Sequence, residues 1–226
     1  MKYIISIEYK TSWGEEIVLK TGKKVFPMKY GAGGVWTVVL SGKELRRGTK
    51  YSFAVMKDGV VVRREWRSRE FILPHGIPSG SEVRVKDSWM DRPRNSAFWS
   101  SAFKDAIFSR GKSLEKDMKG NVLLEVLAPE VRQDRTVAIT GSCPALGGWK
   151  KAVPMDDSAF PRWKASLDVS QPFEYKFVIA DRKTLEPVVW EEGENRIFHD
   201  IPGEEEALVV RSNRMDKKII WQFKER

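Results

Sequence analysis

Residues 173–183 read FEYKFVIADRK, and residues 51–59 read YSFAVMKDG. Each stretch alternates or runs apolar over the length of one strand and then ends in a charged turn. Their likeness decides the fold, because each sits inside a longer series of strand-like stretches. Around the earlier one stand IISIEY, EEIVLKT, WTVVLSG, VVVRREW and EVRVKDSW. From about Asn121 the series restarts as VLLEVLA, TVAITGS, WKASLDV, FEYKFVIA, PVVWEE and EALVVRS. Gly, Asp, Lys and Pro cluster between the stretches, which is the pattern of an antiparallel sandwich.

Tryptophans make the repeat specific. WTVVL begins at Trp36 and WKASL at Trp163; Trp66 stands thirty residues beyond the first, and Trp190 twenty-seven beyond the second. A near-constant offset between landmarks on equivalent strands predicts a duplicated domain, each copy of about 90–100 residues, the size of an immunoglobulin-like sandwich. The predicted fold class is therefore all-β, two immunoglobulin-like antiparallel β-sandwich domains joined by an ordered, partly helical linker. The boundaries read 1–90 for the first domain, 91–118 for the linker, 119–212 for the second domain and 213–226 for a C-terminal connection. Within the linker, Phe98, Trp99, Phe103, Ile107 and Phe108 fall near one helical face. So many aromatics predict a short helix or ordered strap rather than a flexible tether.

Bulk composition narrows the function classes. The 226 residues are 41% hydrophobic and 31% charged, as in a soluble globular protein. No apolar run approaches the roughly 18 residues of a membrane span, and MKYIISIEYKTSW lacks a cleavage site, so no membrane association and a cytoplasmic location are expected. Cys143 is the single cysteine, which excludes an internal disulfide framework, and only His75 and His199 are available to help it hold zinc. No metal and no cofactor are expected. The net charge of +9 is spread by interleaving Lys and Arg with Asp and Glu, which argues against a nucleic-acid partner. Nine tryptophans are the stronger anomaly.

Catalysis finds no foothold in these residues. Glycoside hydrolysis needs two carboxyls roughly 5–9.5 Å apart across a bond. Glu191 and Glu192 are adjacent on a strand and point to opposite faces, Glu194 follows a glycine, and Glu204 to Glu206 read as a solvated turn. The serines and Cys143 have no histidine in a recognisable setting, and GAGG at Gly31–Gly34 lacks the lysine and helix of a phosphate loop. No catalytic residue is predicted.

Sugar binding accounts for the aromatic excess. A pyranose offers an apolar face of C–H groups and a rim of hydroxyls, so its binder needs flat platforms with a few polar groups at the edge. GSCPALGGWKK puts Trp149 on a glycine-rich loop after a strand, and Trp190 ends a strand before EEGEN. Lys176 supplies an edge donor, Asn195 both a donor and an acceptor, and Glu191 an acceptor for a rim hydroxyl. The bland readings differ by residue. Trp36 and Trp163 read as core, Trp89 and Trp221 as packing anchors, and Trp190 by its own context divides evenly between core and site.

GSCPALGGW, the tryptophan of WKASL, FEYKF and WEEGENR together resemble the starch-binding domain, carbohydrate-binding module family 20, over about residues 119–212. That resemblance implies a domain in which Trp149 and Trp190 stack on glucose units of an α-1,4-glucan such as starch, glycogen or a maltooligosaccharide, while Lys176 and Asn195 hydrogen-bond its hydroxyls. Residues 1–90 resemble the family more weakly: TGKKVFPMKYG carries no tryptophan where GSCPALGGW should stand, Ser52 or Ala54 answers Lys176, and WRSREF answers WEEGENR. The resemblance leaves Trp66 as a possible partial platform and puts Trp13, in TSWGEEI, where the family carries an aromatic of a second sugar site. Tandem modules with such a linker resemble the N-terminal region of 4-alpha-glucanotransferases (amylomaltases), implying a catalytic domain farther along the same chain as a partner. The competing reading makes the sandwiches interaction or scaffold domains of a glycogen-associated protein without sugar binding of their own.

Overall fold

A computed structural model describes residues 1–71, 73, 77, 80–91, 120–204, 206–212 and 215. The described residues form short strands and tight turns, with contacts gathering into two compact units. Unit 1 takes its residues from Met1–Arg94 and Gly203–Asn213, and unit 2 from Asn95–Pro202 and Arg214–Arg226. The strap predicted within 91–118 and the connection predicted over 213–226 fall almost wholly outside the described residues.

Unit 1 begins with β1 (Lys2–Glu8), β2 (Glu15–Thr21), β3 (Lys24–Pro27), β4 (Lys29–Tyr30) and β5 (Val35–Ser41). It continues with β6 (Lys50–Lys57), β7 (Val60–Arg64), β8 (Arg69–Glu70) and β9 (Glu82–Ser88). One sheet runs β3-β2-β6-β7 with β8 also on β6; in the other, β5 lies antiparallel to β1. Period-two alternation sets the buried face, as in β6, where Tyr51, Phe53 and Val55 turn inward. The two buried faces meet: the Tyr51 hydroxyl on β6 donates to Asp87 on β9 at 2.6 Å. The Tyr3 ring on β1 packs edge-on against Phe71 at 4.8 Å.

The expectation of purely antiparallel pairing needs correcting. β9 runs parallel to β1, Lys2 facing Glu82 and Glu8 facing Ser88. The last described strand runs parallel to β9 in turn, with Glu206 facing Glu82. Parallel neighbours need long crossovers, and local alternation carries no sign of them. This last strand, which ends the second series in sequence, joins unit 1, where Arg211 Nη1 donates to the Tyr51 hydroxyl at 2.6 Å.

Unit 2 contains β10 (Val122–Leu127), β11 (Arg135–Gly141), β12 (Val153–Pro154), β13 (Arg162–Leu167), β14 (Phe173–Asp181), β15 (Pro187–Trp190) and β16 (Arg196–Phe198); the unit 1 strand just described, Glu206–Ser212, is β17. β10 pairs with β13, while a sheet in the order β12-β11-β14-β15 also carries β16 on β14. Trp163 on β13 is fully buried and donates its indole N–H to the Ala128 carbonyl at 3.0 Å. Trp36 on β5 is also buried. Both therefore fill cores, as their positions ahead of alternating strands predict.

The units repeat one local design. In unit 1 the Glu65 carboxylate accepts the Phe53 backbone N–H at 2.8 Å and pairs with Arg69, whose guanidinium sits 5.1 Å over the Phe53 ring. In unit 2 the Glu191 carboxylate accepts the Phe177 N–H at 3.3 Å and pairs with Arg196, whose guanidinium sits 5.1 Å over the Phe177 ring. Tyr51 faces Arg69 as Tyr175 faces Arg196. These shared contacts fix the correspondence residue by residue: Phe53 answers Phe177, Ser52 answers Lys176, and Glu65 answers Glu191.

The strand before that glutamate follows. Arg64 faces Ala54, as Trp190 faces Val178, and each pair lies beside a register shift in the longer strand. Arg64, not Trp66, therefore occupies the place of Trp190. The sequence match between the two tryptophans is displaced by two positions, and Trp66 stands where unit 2 has Glu192.

Candidate functional site

The outer face of the β11–β14–β15 sheet carries Lys176 and Trp190, two of the residues singled out from the sequence. On β14, Glu174, Lys176 and Val178 share that face by alternation. Thr140 on β11 is directly opposite Lys176, and Trp190 on β15 is directly opposite Val178. Directly opposed residues project to the same side, so Trp190 joins Lys176 there. It is 46% exposed, enough to leave a ring face available.

Trp149 reaches this face on a tight loop. The 3-10 turn Pro144–Trp149 begins with a proline and is held by hydrogen bonds from the Leu146 and Gly148 N–H groups to the Cys143 carbonyl. Leu146 is fully buried and plugs the loop into the unit. Gly141 permits that approach, since a Cβ there would stand 2.3 Å from the Glu174 carbonyl oxygen and 2.8 Å from Leu146 Cδ1. The chain then passes through three consecutive positive φ values, at Gly147 (79°), Gly148 (55°) and Trp149 (62°).

For a tryptophan the left-handed region costs about 1–2 kcal/mol, and such strain collects where a side chain is held for a purpose. Trp149 is 37% exposed. Two residues later the Lys151 carbonyl accepts the Thr140 hydroxyl at 3.1 Å, and Ala152 packs with Ala138, Val178 and Ala180. The loop bearing Trp149 is thus anchored to the same face that carries Lys176 and Trp190.

The EEGEN turn is tied down from below. Lys176 Nζ donates to the carbonyls of Glu191 at 3.1 Å and Gly193 at 2.6 Å. An ammonium has three N–H bonds, so one remains for a ligand. Asn195 is exposed, and its side-chain N–H donates to Glu174 Oε2 at 2.8 Å, leaving the amide oxygen as an acceptor.

Glu191 behaves differently from a rim contact. Its side chain is 3% exposed, accepts from Arg196 Nε at 2.9 and 3.1 Å, and takes the Phe177 N–H. Its oxygens are engaged inside the protein, where they position the turn that follows Trp190. Sequence reasoning quoted Arg196 without using it and passed over Glu174 and Thr140. A glutamate followed by an arginine after each strand, Glu65 with Arg69 and Glu191 with Arg196, was the available signal.

In unit 1, Trp13 precedes β2 and is 98% exposed. Trp66 is half-buried, and the Arg67 guanidinium lies 4.3 Å over its ring. Trp89 is a packing residue, its ring tilted 37° against Tyr9 at 4.3 Å and its N–H on Asp91 at 3.1 Å.

A known family and several known proteins match the chain, the family model in this same region. The family model described as Starch binding domain matches residues 119–207. The chain is 26% identical over 210 residues to "4-alpha-glucanotransferase DPE2" of Oryza sativa subsp. japonica, a match covering 77% of the chain and 22% of that relative. It is 33% identical over 70 residues to "Cyclomaltodextrin glucanotransferase" of Klebsiella oxytoca, covering 29% of the chain and 11% of the relative. The chain thus spans about a fifth or less of the length of these curated relatives. Among solved structures, the family 20 carbohydrate-binding module of the maltotetraose-forming amylase from Pseudomonas saccharophila STB07 aligns with a TM-score of 0.34 and 22% identity, over 39% of this chain and 97% of that one. Residues 119–207 thus match the starch binding domain family, and the chain is similar over most of its length to part of a 4-alpha-glucanotransferase.

Proposed function

We propose that unit 2 binds α-1,4-glucan without chemistry of its own. Trp149 and Trp190 stack on neighbouring glucose units. The remaining Lys176 N–H and the Asn195 amide oxygen meet hydroxyls at the ring edge and set the register. Glu191 serves by holding the Trp190 turn in place. The reading is supported by Lys176 holding the turn after the exposed Trp190, and by the exposed Trp149 standing on a loop anchored to the same sheet, within the segment that matches the starch binding domain. Open sites of this kind give dissociation constants on the order of 10 μM to 1 mM, about 4–7 kcal/mol.

In unit 1, Trp13 offers a second exposed platform for glucan. The chain as a whole serves as the substrate-binding region of a longer 4-alpha-glucanotransferase, presenting glucan to a catalytic domain carried elsewhere in the protein. The homology to DPE2 across most of the chain supports this assignment.

Affinity electrophoresis of the whole chain through gels containing amylose or glycogen tests the reading. Retardation that Trp149→Ala or Trp190→Ala abolishes, with circular dichroism unchanged, supports it. Equal mobility with and without glucan contradicts it and leaves the scaffold reading.

A further inference from the structure

Unit 1 has a cavity of about 440 Å³ at the place that corresponds to the unit 2 site, and its chemistry differs. Ser52, Arg64, Glu65, Trp66, Arg67, Ser68 and Asp91 line it. By the shared register, Ser52 replaces Lys176, and Arg64 replaces the Trp190 platform. The aromatic surface moves to Trp66, two residues along, and Arg67 lies against that ring. One ammonium and one indole have become two exposed guanidinium groups beside an indole, with two hydroxyls and two carboxylates around them, of which that of Glu65 is buried and already engaged by Arg69 and the Phe53 N–H.

We propose that this cavity binds a sugar ring carrying an oxyanion, a phosphate ester or a carboxylate. The inference rests on the reading of these units as carbohydrate binders and extends it to a charged ligand class. A neutral glucan offers guanidinium groups only hydroxyl oxygens. An oxyanion offers two or three strong acceptors in the geometry of the guanidinium fork, and such charge-assisted bonds are roughly twice as strong as neutral ones. Arg64 and Arg67 hold the oxyanion. Trp66 meets the apolar ring face, while Ser52, Ser68 and Asp91 meet hydroxyls. A volume near 440 Å³ lies within the range of small-ligand sites and accommodates one substituted hexose.

Isothermal titration of the whole chain with glucose 6-phosphate, glucuronate, maltose and inorganic phosphate provides the test. Glucose 6-phosphate or glucuronate is expected to bind at least tenfold more tightly than either maltose or inorganic phosphate at this site. Arg64→Ala and Trp66→Leu are each expected to weaken that binding at least tenfold, whereas Trp190→Ala leaves it unchanged. Arg64 is exposed, so its replacement leaves the fold intact, which circular dichroism verifies. The two anionic sugars distinguish a phosphate from a carboxylate ligand, and Arg64-dependent binding of either supports the site. Inorganic phosphate binding as tightly as glucose 6-phosphate overturns the proposal, as does anionic-sugar binding that Arg64→Ala does not alter. Loss of amylose retention in the wild-type chain alongside intact Arg64-dependent binding refutes the unit 2 reading and leaves this one standing.

Discussion

The Lys176 ammonium lies 2.6 Å from the Gly193 carbonyl oxygen and 3.1 Å from that of Glu191, so one strand lysine holds the turn that follows Trp190. This contact joins the two duties of the residue, since the nitrogen that steadies the turn also keeps an N–H for a sugar. Lys176→Met is expected to reduce amylose retention about tenfold, through the lost edge contact and a looser Trp190. The fold loses only about 1 kcal/mol, because the freed carbonyls reach water. Affinity electrophoresis paired with urea denaturation separates the two effects; a stability loss large enough to explain the lost retention contradicts the dual role.

Glu191 is predicted to be a residue of stability. Its carboxylate is buried and paired with Arg196, so Glu191→Ala strands that guanidinium and frees the Phe177 N–H. Breaking a buried pair from one side costs about 3–5 kcal/mol, and the partial exposure of Arg196 reduces this to about 2–4 kcal/mol. Urea denaturation of the whole chain measures the loss. A fully stable variant with lost glucan binding would instead make Glu191 a direct sugar contact.

Gly141→Ala tests the seat of the Trp149 loop. The added Cβ meets a backbone carbonyl at 2.3 Å, which cannot swing aside as a side chain does. Overpacking of this kind costs about 1–3 kcal/mol, and moving the loop also moves Trp149. Thermal unfolding and maltooligosaccharide titration are both expected to worsen. Unchanged values in both measurements would mean that the loop does not rest on β14 at Glu174.

Unit 1 carries a pH dependence at Glu65. Burial, the largest influence, pushes its carboxyl up to about 7, while Arg69 and the N–H groups of Phe53 and Met90 pull the other way. The folded protein therefore holds this proton more tightly than the unfolded chain, whose glutamate titrates near 4.5. The stabilisation from this group is fully present below about 4.5 and is lost as pH rises through about 7. Glu65→Gln should flatten that part of the profile, as read by urea unfolding at several pH values between 4.5 and 8. An unaltered slope in the variant contradicts the assignment to Glu65.

Much of this architecture was legible because it is local. Alternation located the strands around Tyr51 and Tyr175, and the glycines of GSCPALGGW marked a loop able to present Trp149. The parallel pairings of β9 were hidden because nothing in EVRVKDSW encodes which distant strand lies beside it. The displaced match of Trp66 with Trp190 has a local cause: Trp66 follows Glu65 whereas Trp190 precedes Glu191, and bulk similarity aligned the two indoles instead of the two glutamates. The burial of Glu191 was legible in the glutamate-to-arginine spacing, since its partner Arg196 stands five residues away.

Calorimetric titration of maltoheptaose into the whole chain, wild type against Trp190→Ala, tests the central claim most directly. The predicted result is a dissociation constant on the order of 10 μM to 1 mM for the wild type. In the variant, whose urea midpoint is unchanged, the unit 2 heat signal is lost. Equal affinity in the two proteins would contradict the assignment of Trp190 as a glucan platform, and with it the reading of this sheet face as the binding site.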